Sequence, residues 1–158
     1  MAVAAECASL SDDAARSLRA GNFVFDGTVL RVDLVASDGT LTPVDDVAGI
    51  YSRLEDAHLR EFVSTLKVHR VWKGDVSETF MVYFVWNMDG PFFKVGRRQI
   101  VFAHHQTEGT RKFFGTDPRA PLRNAWVGPC SGYPAENKTA LKQLGRARKP
   151  TRSERIHH

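Results

Sequence analysis

The sequence predicts a mostly β domain with flanking helices, built as a small antiparallel barrel or sandwich. β-Branched and aromatic residues are concentrated in short runs, spaced roughly ten residues apart, with turn residues between them. The 158-residue chain is 42% hydrophobic with ten Phe, which supplies one core, and 25% of its residues are charged, as in ordinary globular domains. The sequence contains no run of about 20 apolar residues, so it predicts no membrane-spanning helix.

The first third of the chain predicts a helix, a long strand and a helical insertion. Residues 9–21 predict a short helix, because Ser and Asp at its start and a glycine at its end are typical helix boundaries. Residues 22–34 predict a long strand, in which Gly27 indicates a bulge or bend. A turn signal at 37–40 follows, and apolar residues at helical spacing then predict an amphipathic helical insertion over about 44–60.

The middle of the chain predicts four further strands. Residues 62–72 alternate strictly between two faces, and the Lys-Gly-Asp sequence at 73–75 then predicts a turn. Residues 79–86, 97–104 and 111–116 are rich in β-branched and aromatic residues and predict the remaining strands. Turn residues separate these runs, so the sequence favours antiparallel over parallel pairing.

The end of the chain predicts a helix over about 136–144 and then a basic tail. The folded domain is expected to span residues 5–145. Residues 146–158 lack apolar periodicity and predict a mobile tail. The tail carries five Arg and Lys against one Glu, so its excess equals the formal net charge of +4 of the whole chain and leaves the body nearly neutral. We assign no functional role to His157 and His158 at the end of this tail.

Two cysteines, Cys7 and Cys130, leave two interpretations open. A disulfide between them is the leading one, and a pair of unrelated buried thiols is the alternative. Their spacing does not fit a metal site. The small residues at 1–5 are similar to the end of an export signal, so we expect an extracytoplasmic protein whose signal has been removed.

Four short motifs follow one another along the chain: Asn22–Val29, Val68–Asp75, Asp89–Ala103 and Cys130–Gly132. The most specific pieces are the Val-Trp-Lys-Gly-Asp turn at 71–75 and the glycine-containing approach to Ile-Val-Phe-Ala at 100–103. In this order, the motifs resemble bacterial secreted domains related to the tissue inhibitors of metalloproteinases, which share the netrin-like version of the OB barrel. The resemblance implies an OB-type antiparallel β-barrel, and Trp72 is then expected to cap one mouth of it.

The resemblance also bears on the cysteines. Members of the family commonly pair an N-terminal Cys-x-Cys with one cysteine in the middle of the chain and another near its end. Here Ala5-Glu6-Cys7 keeps only the second N-terminal thiol, and Met88-Asp89-Gly90 lacks the middle one. The resemblance therefore implies that one bridge is lost and that Cys7 and Cys130 form the other, which would clamp the N-terminal segment against the barrel.

The resemblance implies an exported, non-catalytic binding module whose partner is an unknown protein or an extracellular polymer. Loops that a rigid scaffold positions commonly carry recognition. We therefore expect the binding surface to combine the clamped N-terminal segment, the insertion at 37–60 and the loop at 87–93. The candidate residues are Glu6, Cys7 and Ala8 in the first of these, and Trp86, Phe92 and Phe93 in and beside the last.

Two alternative functions are weaker. Animal members of the related family inhibit metalloproteases by chelating the catalytic zinc through an N-terminal cysteine, but Cys7 is not first and lacks the bridge that would hold it. Single-stranded nucleic acid could stack on aromatic residues beside basic ones. Aromatic residues in alternating strands are usually core, however, which disfavours nucleic acid. The residues concerned are Tyr83, Trp86, Phe92 and Phe93, with Lys94, Arg97 and Arg98.

Catalytic and metal-binding motifs are not found in the sequence. The adjacent His104 and His105 would point to opposite faces of a strand, and His58 and His69 have no carboxylate or thiol at ligand spacing. Ser131 lacks the Gly-x-Ser-x-Gly context of a nucleophile, and no glycine-rich phosphate loop occurs. The sequence therefore predicts no enzyme activity, no metal and no cofactor.

Overall fold

The fold is mostly antiparallel β-sheet with short helices beside it, as the sequence predicts. The computed structural model describes residues 14–45, 47, 60–85, 93–114, 119–128 and 133–152. Within them lie three helices and six strands: α1 (Ala14–Ala20), β1 (Phe23–Val35), β2 (Leu41–Pro43), β3 (Glu61–Lys73), β4 (Thr79–Val85), β5 (Arg98–Ala103), α2 (Glu108–Phe114), β6 (Tyr133–Pro134) and α3 (Lys138–Leu144).

All six strands belong to one sheet, in the order β4-β3-β1-β5-β6, with the short β2 paired to the far end of β1. Every pairing is antiparallel. The register between β1 and β3 shifts between Asp26 and Gly27, so the bulge that the sequence predicts at Gly27 is confirmed. Among the described residues, no strand pairing joins β4 to β6, so the sheet is open. A closed OB-type barrel is therefore not observed in this part of the chain.

A short stretch that is not a strand lies across the gap between the two sides of the sheet. This bridging segment (residues 123–127) hydrogen-bonds to both sides. The amide of Tyr83 on β4 donates to Ala125 O (3.0 Å), and the amide of Val127 donates to Tyr83 O (2.9 Å). On the other side, Trp126 and His104 exchange two backbone hydrogen bonds of 2.7 and 2.8 Å. The segment thereby links β4 to the residue after β5.

Two apolar clusters pack on opposite faces of the sheet. The inner cluster contains the largest fully buried side chains, among them Phe25, Phe62 and Phe84, and also takes in Ala125 and Val127 of the bridging segment. The outer cluster joins β1, β5 and β6 to helices α1 and α3. Its buried members are Ala14, Val24, Ile100, Phe102, Tyr133, Ala140 and Leu144. Helices α1 and α3 therefore cover the outer face of the sheet.

Strand β3 does not alternate regularly along its whole length. Phe62, Leu66 and Val68 lie in the inner cluster, as the two-residue period predicts, but the next inward residue is Val71 rather than Arg70. A register shift accounts for this, since Gly27 pairs with Val68 while Asp26 pairs with Arg70, leaving His69 as an extra residue on β3. Arg70 consequently lies on the outer face of the sheet.

The sequence predicts a strand over 111–116, but Glu108–Phe114 form helix α2, so this prediction is wrong. Thr107 starts the helix, because its hydroxyl accepts a hydrogen bond from the amide of Thr110 at 3.1 Å, and Glu108 supplies an acidic residue to the first turn. Arg111 adds contacts to the Glu108 carboxylate and to Ala120 O. These local contacts outweigh the β preference of the aromatic residues, and Phe113 is left 83% exposed.

Helix α3 begins and ends close to the predicted bounds, and α1 ends just before Gly21 as predicted, while residues 9–13 of the first predicted helix lie outside the described residues. Lys73 Nζ donates to the carbonyl oxygens of Leu18 and Arg19, both at 3.0 Å, and so satisfies the end of α1. Helix α3 begins at Asn137, whose side chain accepts from the Ala140 amide, and ends at Gly145 with a φ of 74°.

Most of the insertion that the sequence predicts over 44–60 lies outside the described residues. Before it, the chain turns at Gly39 and β2 pairs with the end of β1, a short hairpin strand that the sequence does not predict. None of the helices among the described residues is long and apolar enough to cross a membrane.

The turn between β3 and β4 needs a glycine for two reasons. Gly74 has a φ of 88°, and a Cβ there would lie 2.5 Å from Asn22 O and 2.8 Å from a ring carbon of Phe23. Gly39 has nearly the same φ of 89°, with nothing within 4 Å of a Cβ. Substitutions at Gly39 and Gly74 can therefore distinguish the cost of backbone strain from the cost of a steric clash.

We expect Gly39→Ala to lower the free energy of unfolding by about 1 kcal/mol, the cost of the left-handed conformation alone. Gly74→Ala should cost roughly 2 kcal/mol more, because backbone and a core ring must also move. Urea denaturation of both variants measures the difference. Equal losses would contradict the close approach at Gly74.

Candidate functional site

A buried carboxylate on the outer face of the sheet holds two arginines. Asp26 lies on β1 with its side chain fully buried. Arg70, its cross-strand partner on β3, donates through Nε at 2.7 Å. Arg98 on β5 donates through Nε at 2.8 Å and Nη2 at 2.5 Å to the two carboxylate oxygens. One carboxylate therefore ties three neighbouring strands together.

The charge of Asp26 is stabilised by its partners. Burial by itself raises the pKa of Asp26, but the hydrogen bonds and positive charges of Arg98 and Arg70 outweigh burial and hold that pKa below its usual value. The guanidinium groups are 46% and 37% exposed, respectively, so each keeps a side toward solvent. Asp26 is thus ionised at neutral pH and fixes two cationic groups in place.

His69, the extra residue on β3, lies beside this cluster. Its Nε2 is 2.8 Å from the hydroxyl of Thr28 on β1. Burial and the positive charge of Arg98 lower the pKa of His69, and the carboxylate of Asp26 opposes that shift only in part. The imidazole is therefore neutral at pH 7, and it contributes a polar rather than a charged wall.

Trp72 lies on the outer face of the sheet, beside helix α3, rather than capping one mouth of a barrel as the sequence analysis expects. The indole packs against the outer cluster, and its Nε1 donates to Gly145 O at 3.0 Å. The guanidinium carbon of Arg70 lies 5.3 Å from the centre of the indole ring. The register shift at His69 places both side chains on this face.

Part of the expected mobile tail is paired with the sheet. In the C-terminal segment (residues 145–152), Arg148 and Val71 exchange two backbone hydrogen bonds of 2.8 Å each. Thr151 accepts from the amide of Glu78 and donates its own to Val76 O, both at 2.9 Å. Its hydroxyl also lies 2.9 Å from Asp75 Oδ1. Backbone pairing needs no apolar periodicity, which is why the sequence pattern did not predict it.

A cleft of about 470 Å³ lies between the end of β3 and the C-terminal segment. Its described walls carry three cations, one neutral imidazole and several apolar groups, and include no carboxylate. We call it the basic cleft; its lining residues are His69, Arg70, Trp72, Leu141, Gly145, Ala147, Arg148 and Lys149.

The candidate binding residues of the sequence analysis are not brought together by the described structure. Phe93 is 7% exposed and its ring lies 5.0 Å from that of Phe84, so it belongs to the inner cluster. The remaining candidates lie outside the described residues, and the proposed disulfide lies outside them as well. They are Glu6, Cys7, Ala8, Trp86, Phe92 and Cys130.

Three of the seven residues considered for nucleic acid, Tyr83, Phe93 and Arg98, are engaged in contacts with other parts of the fold. The guanidinium of Arg123 lies 4.2 Å from the ring centre of Tyr83 and also donates to Glu61 at 2.7 Å. Phe93 is buried, and Arg98 binds Asp26. Among the described residues, no row of exposed aromatic rings lies beside these cations, so the structure adds no support for base stacking.

Comparisons with known proteins add no family to this description, because neither a family model nor a curated protein matches the sequence. The netrin-like resemblance therefore depends on the four motifs. In the part of the chain that the structure describes, no group of three or more His, Cys, Asp or Glu side chains could hold a metal ion.

Replacing Asp26 should destabilise the protein in a pH-dependent way. Because the folded-state pKa is lowered, the stabilising contribution of Asp26 is complete above the ordinary value of 3.8 and is lost as the pH falls through the folded-state value. At pH 7 we expect Asp26→Asn to cost about 2 kcal/mol, a value reduced by the partial exposure of both arginines.

Denaturant unfolding from pH 7 to pH 2 tests this expectation. The variant should show a flatter loss of stability below pH 4 than the wild type. Asp33→Asn is the matched control, since Asp33 is equally buried but is paired with one arginine, Arg31, which is 52% exposed. Superimposable pH profiles of Asp26→Asn and wild type would contradict the assigned role.

Truncation tests the pairing of the C-terminal segment. Removing residues 146–158 deletes four backbone hydrogen bonds and uncovers Trp72, so we expect a loss of about 3 kcal/mol and a red shift of tryptophan emission. Removing residues 153–158 leaves these bonds intact and should change neither quantity. If both truncations had the same effect, the pairing of Arg148 and Thr151 would not be what stabilises the fold.

Proposed function

We propose that this chain is a non-catalytic binding module, built on a netrin-like OB-type barrel, that recognises an anionic ligand in the basic cleft. The barrel is supported by the bridging segment, which hydrogen-bonds to Tyr83 on one side of the sheet and to His104 on the other. A last strand of a closed barrel would occupy this position. Ala125 and Val127 add to this support, because they pack into the inner cluster.

The observation that carries the proposed ligand class is the charge of the cleft. Arg70, Arg148 and Lys149 line it, and its described walls carry no opposing carboxylate. Asp26 lies behind Arg70 and is also paired with Arg98. Its negative charge is therefore shared by two arginines and does not cancel the positive charge of the cleft. A concave surface with charges of one sign concentrates the field and attracts ions of the opposite sign.

The contacts around the cleft favour binding over bond-making. Asp26 is committed to two guanidinium groups, and the ring nitrogen of His69 to the hydroxyl of Thr28. Trp72 is held through its indole nitrogen by the carbonyl of Gly145. Side chains fixed in this way form a preorganised recognition surface, which lowers the entropic cost of binding.

Export belongs to the same proposal, because the disulfide between Cys7 and Cys130 that the resemblance implies would form and persist in an oxidising compartment. Metalloprotease inhibition through Glu6, Cys7 and Ala8 stays a separate alternative. Determining the mature N-terminus and assaying the folded protein against a panel of zinc proteases distinguishes the two. Inhibition that depends on that segment would favour the alternative.

We expect small organic anions to perturb the backbone amides of Trp72 and Arg148 in an NMR titration of the full chain at low ionic strength. The panel comprises citrate, benzoate and phenyl phosphate, with benzylammonium as a cation of similar size. At least one anion should shift these amides, and added salt should weaken the effect. Benzylammonium should not shift them.

The charge-reversal variant Lys149→Glu should lose this response. Lys112→Glu is its matched control, because Lys112 is an equally exposed lysine on α2 that does not line the cleft. The control changes the net charge by the same amount and should keep the response. The proposed function fails if no anion shifts the cleft amides, or if both variants lose binding equally.

A further inference from the structure

The basic cleft is an open groove whose volume is that of a small-molecule site. Its volume of about 470 Å³ lies within the range typical of ligand pockets. One wall is the end of β3, and the other is the C-terminal segment, which backbone hydrogen bonds hold against Val71. A ligand there would touch both walls at once.

Two contacts hold the guanidinium of Arg70 in place. Its Nε bonds to the buried carboxylate of Asp26, and its guanidinium lies over the indole of Trp72. The bond to Asp26 uses Nε alone, so among the described contacts the two terminal nitrogens stay available to a ligand. Two adjacent N–H donors in one plane suit the oxygens of a phosphate or a carboxylate.

The number of cations decides between these two anions. Arg148 and Lys149 line the same cleft as Arg70. The guanidinium of Arg148 also donates to Gly74 O and to Lys149 O, which hold it in place, and its remaining N–H groups can face a ligand. Lys149 adds a flexible point charge to the planar groups of the arginines. A carboxylate carries one negative charge and two oxygens. A phosphate monoester carries nearly two negative charges and three acceptor oxygens, and so can engage all three cations.

The rest of the lining indicates an ester rather than a free phosphate ion. Trp72, Leu141 and Ala147 give the cleft an apolar wall beside its cations. Free phosphate would leave this wall in contact with water, whereas the carbon group of an ester would cover it.

We propose that the basic cleft binds the phosphate group of a small phosphate monoester, with Arg70, Arg148 and Lys149 on the phosphate oxygens and the organic group against Trp72. This inference rests on the proposed function and names the ligand class for the same site.

Isothermal titration of the full chain at pH 8 and low ionic strength tests the ligand class with four probes. Phenyl phosphate should bind at least about tenfold more tightly than benzoate, which has one charge and a planar anion. Phenyl phosphate should also bind more tightly than phenyl sulfate, whose anion is tetrahedral but singly charged. Inorganic phosphate should bind more weakly than phenyl phosphate, since it lacks the apolar group.

The possible outcomes separate the inference from the proposed function. If benzoate or phenyl sulfate binds as tightly as phenyl phosphate, the inference is wrong while an anion-binding cleft stands. If inorganic phosphate binds as tightly as the ester, the apolar wall plays no part and the ester assignment is wrong. If none of the four binds, both the inference and the proposed function fail.

Two variants locate the binding site. Lys149→Ala should weaken phenyl phosphate binding about tenfold, whereas Lys112→Ala should leave it unchanged. Arg70→Lys keeps the charge but loses the planar pair of donors, so it should weaken phenyl phosphate binding. Because Arg70 also binds Asp26, circular dichroism must first establish that this variant is folded. Unchanged affinity in Lys149→Ala would overturn the proposed site whether or not Arg70→Lys folds.

Discussion

The carboxylate of Asp26 organises the outer face of the sheet. A buried charge is stable in a folded protein only when oppositely charged groups and hydrogen bonds replace its hydration. Arg70 and Arg98, from the strands on either side, supply both. The same interaction positions the guanidinium of Arg70 over Trp72, so the shape of the basic cleft depends on a residue that does not line it.

Much of the β framework could be predicted from the sequence. The strands around Phe25, Leu66 and Ile100 contain β-branched and aromatic residues in runs of the right length, and burial of those side chains is what stabilises them. Gly74 marked the turn correctly, because few other residues tolerate its φ of 88°. Gly27 marked the position on β1 where the register with β3 shifts.

Other features depend on contacts that a local pattern does not contain. The strand predicted at 111–116 is helix α2, since capping by Thr107 overrides the β preference of the aromatic residues. The inserted residue His69 reverses the alternation of β3 and places Trp72 on the outer face. The tail pairs through its backbone atoms, which every residue possesses, so its composition carried no signal for that pairing.

The candidate site could have been found in part. A lone aspartate within the apolar run Phe-Val-Phe-Asp-Gly at 23–27 must be exposed or paired, and the arginines at 70 and 98 are suitable partners. The sequence does not reveal which strands are neighbours, and that information decides the pairing. The basic residues Arg148 and Lys149 were noticed as tail charges, but only the pairing with Val71 brings them to the cleft.

The backbone contacts along β4 also bear on how the protein behaves when it is concentrated. An unpaired strand edge is a template on which a second molecule can add its own strand and begin to aggregate. Here the backbone of Tyr83 is hydrogen-bonded to the bridging segment, and the amide of Glu78, just before β4, donates to Thr151 O. These two contacts shorten the free edge of β4 to the four residues between them, so the chain's own segments limit intermolecular strand addition along this edge.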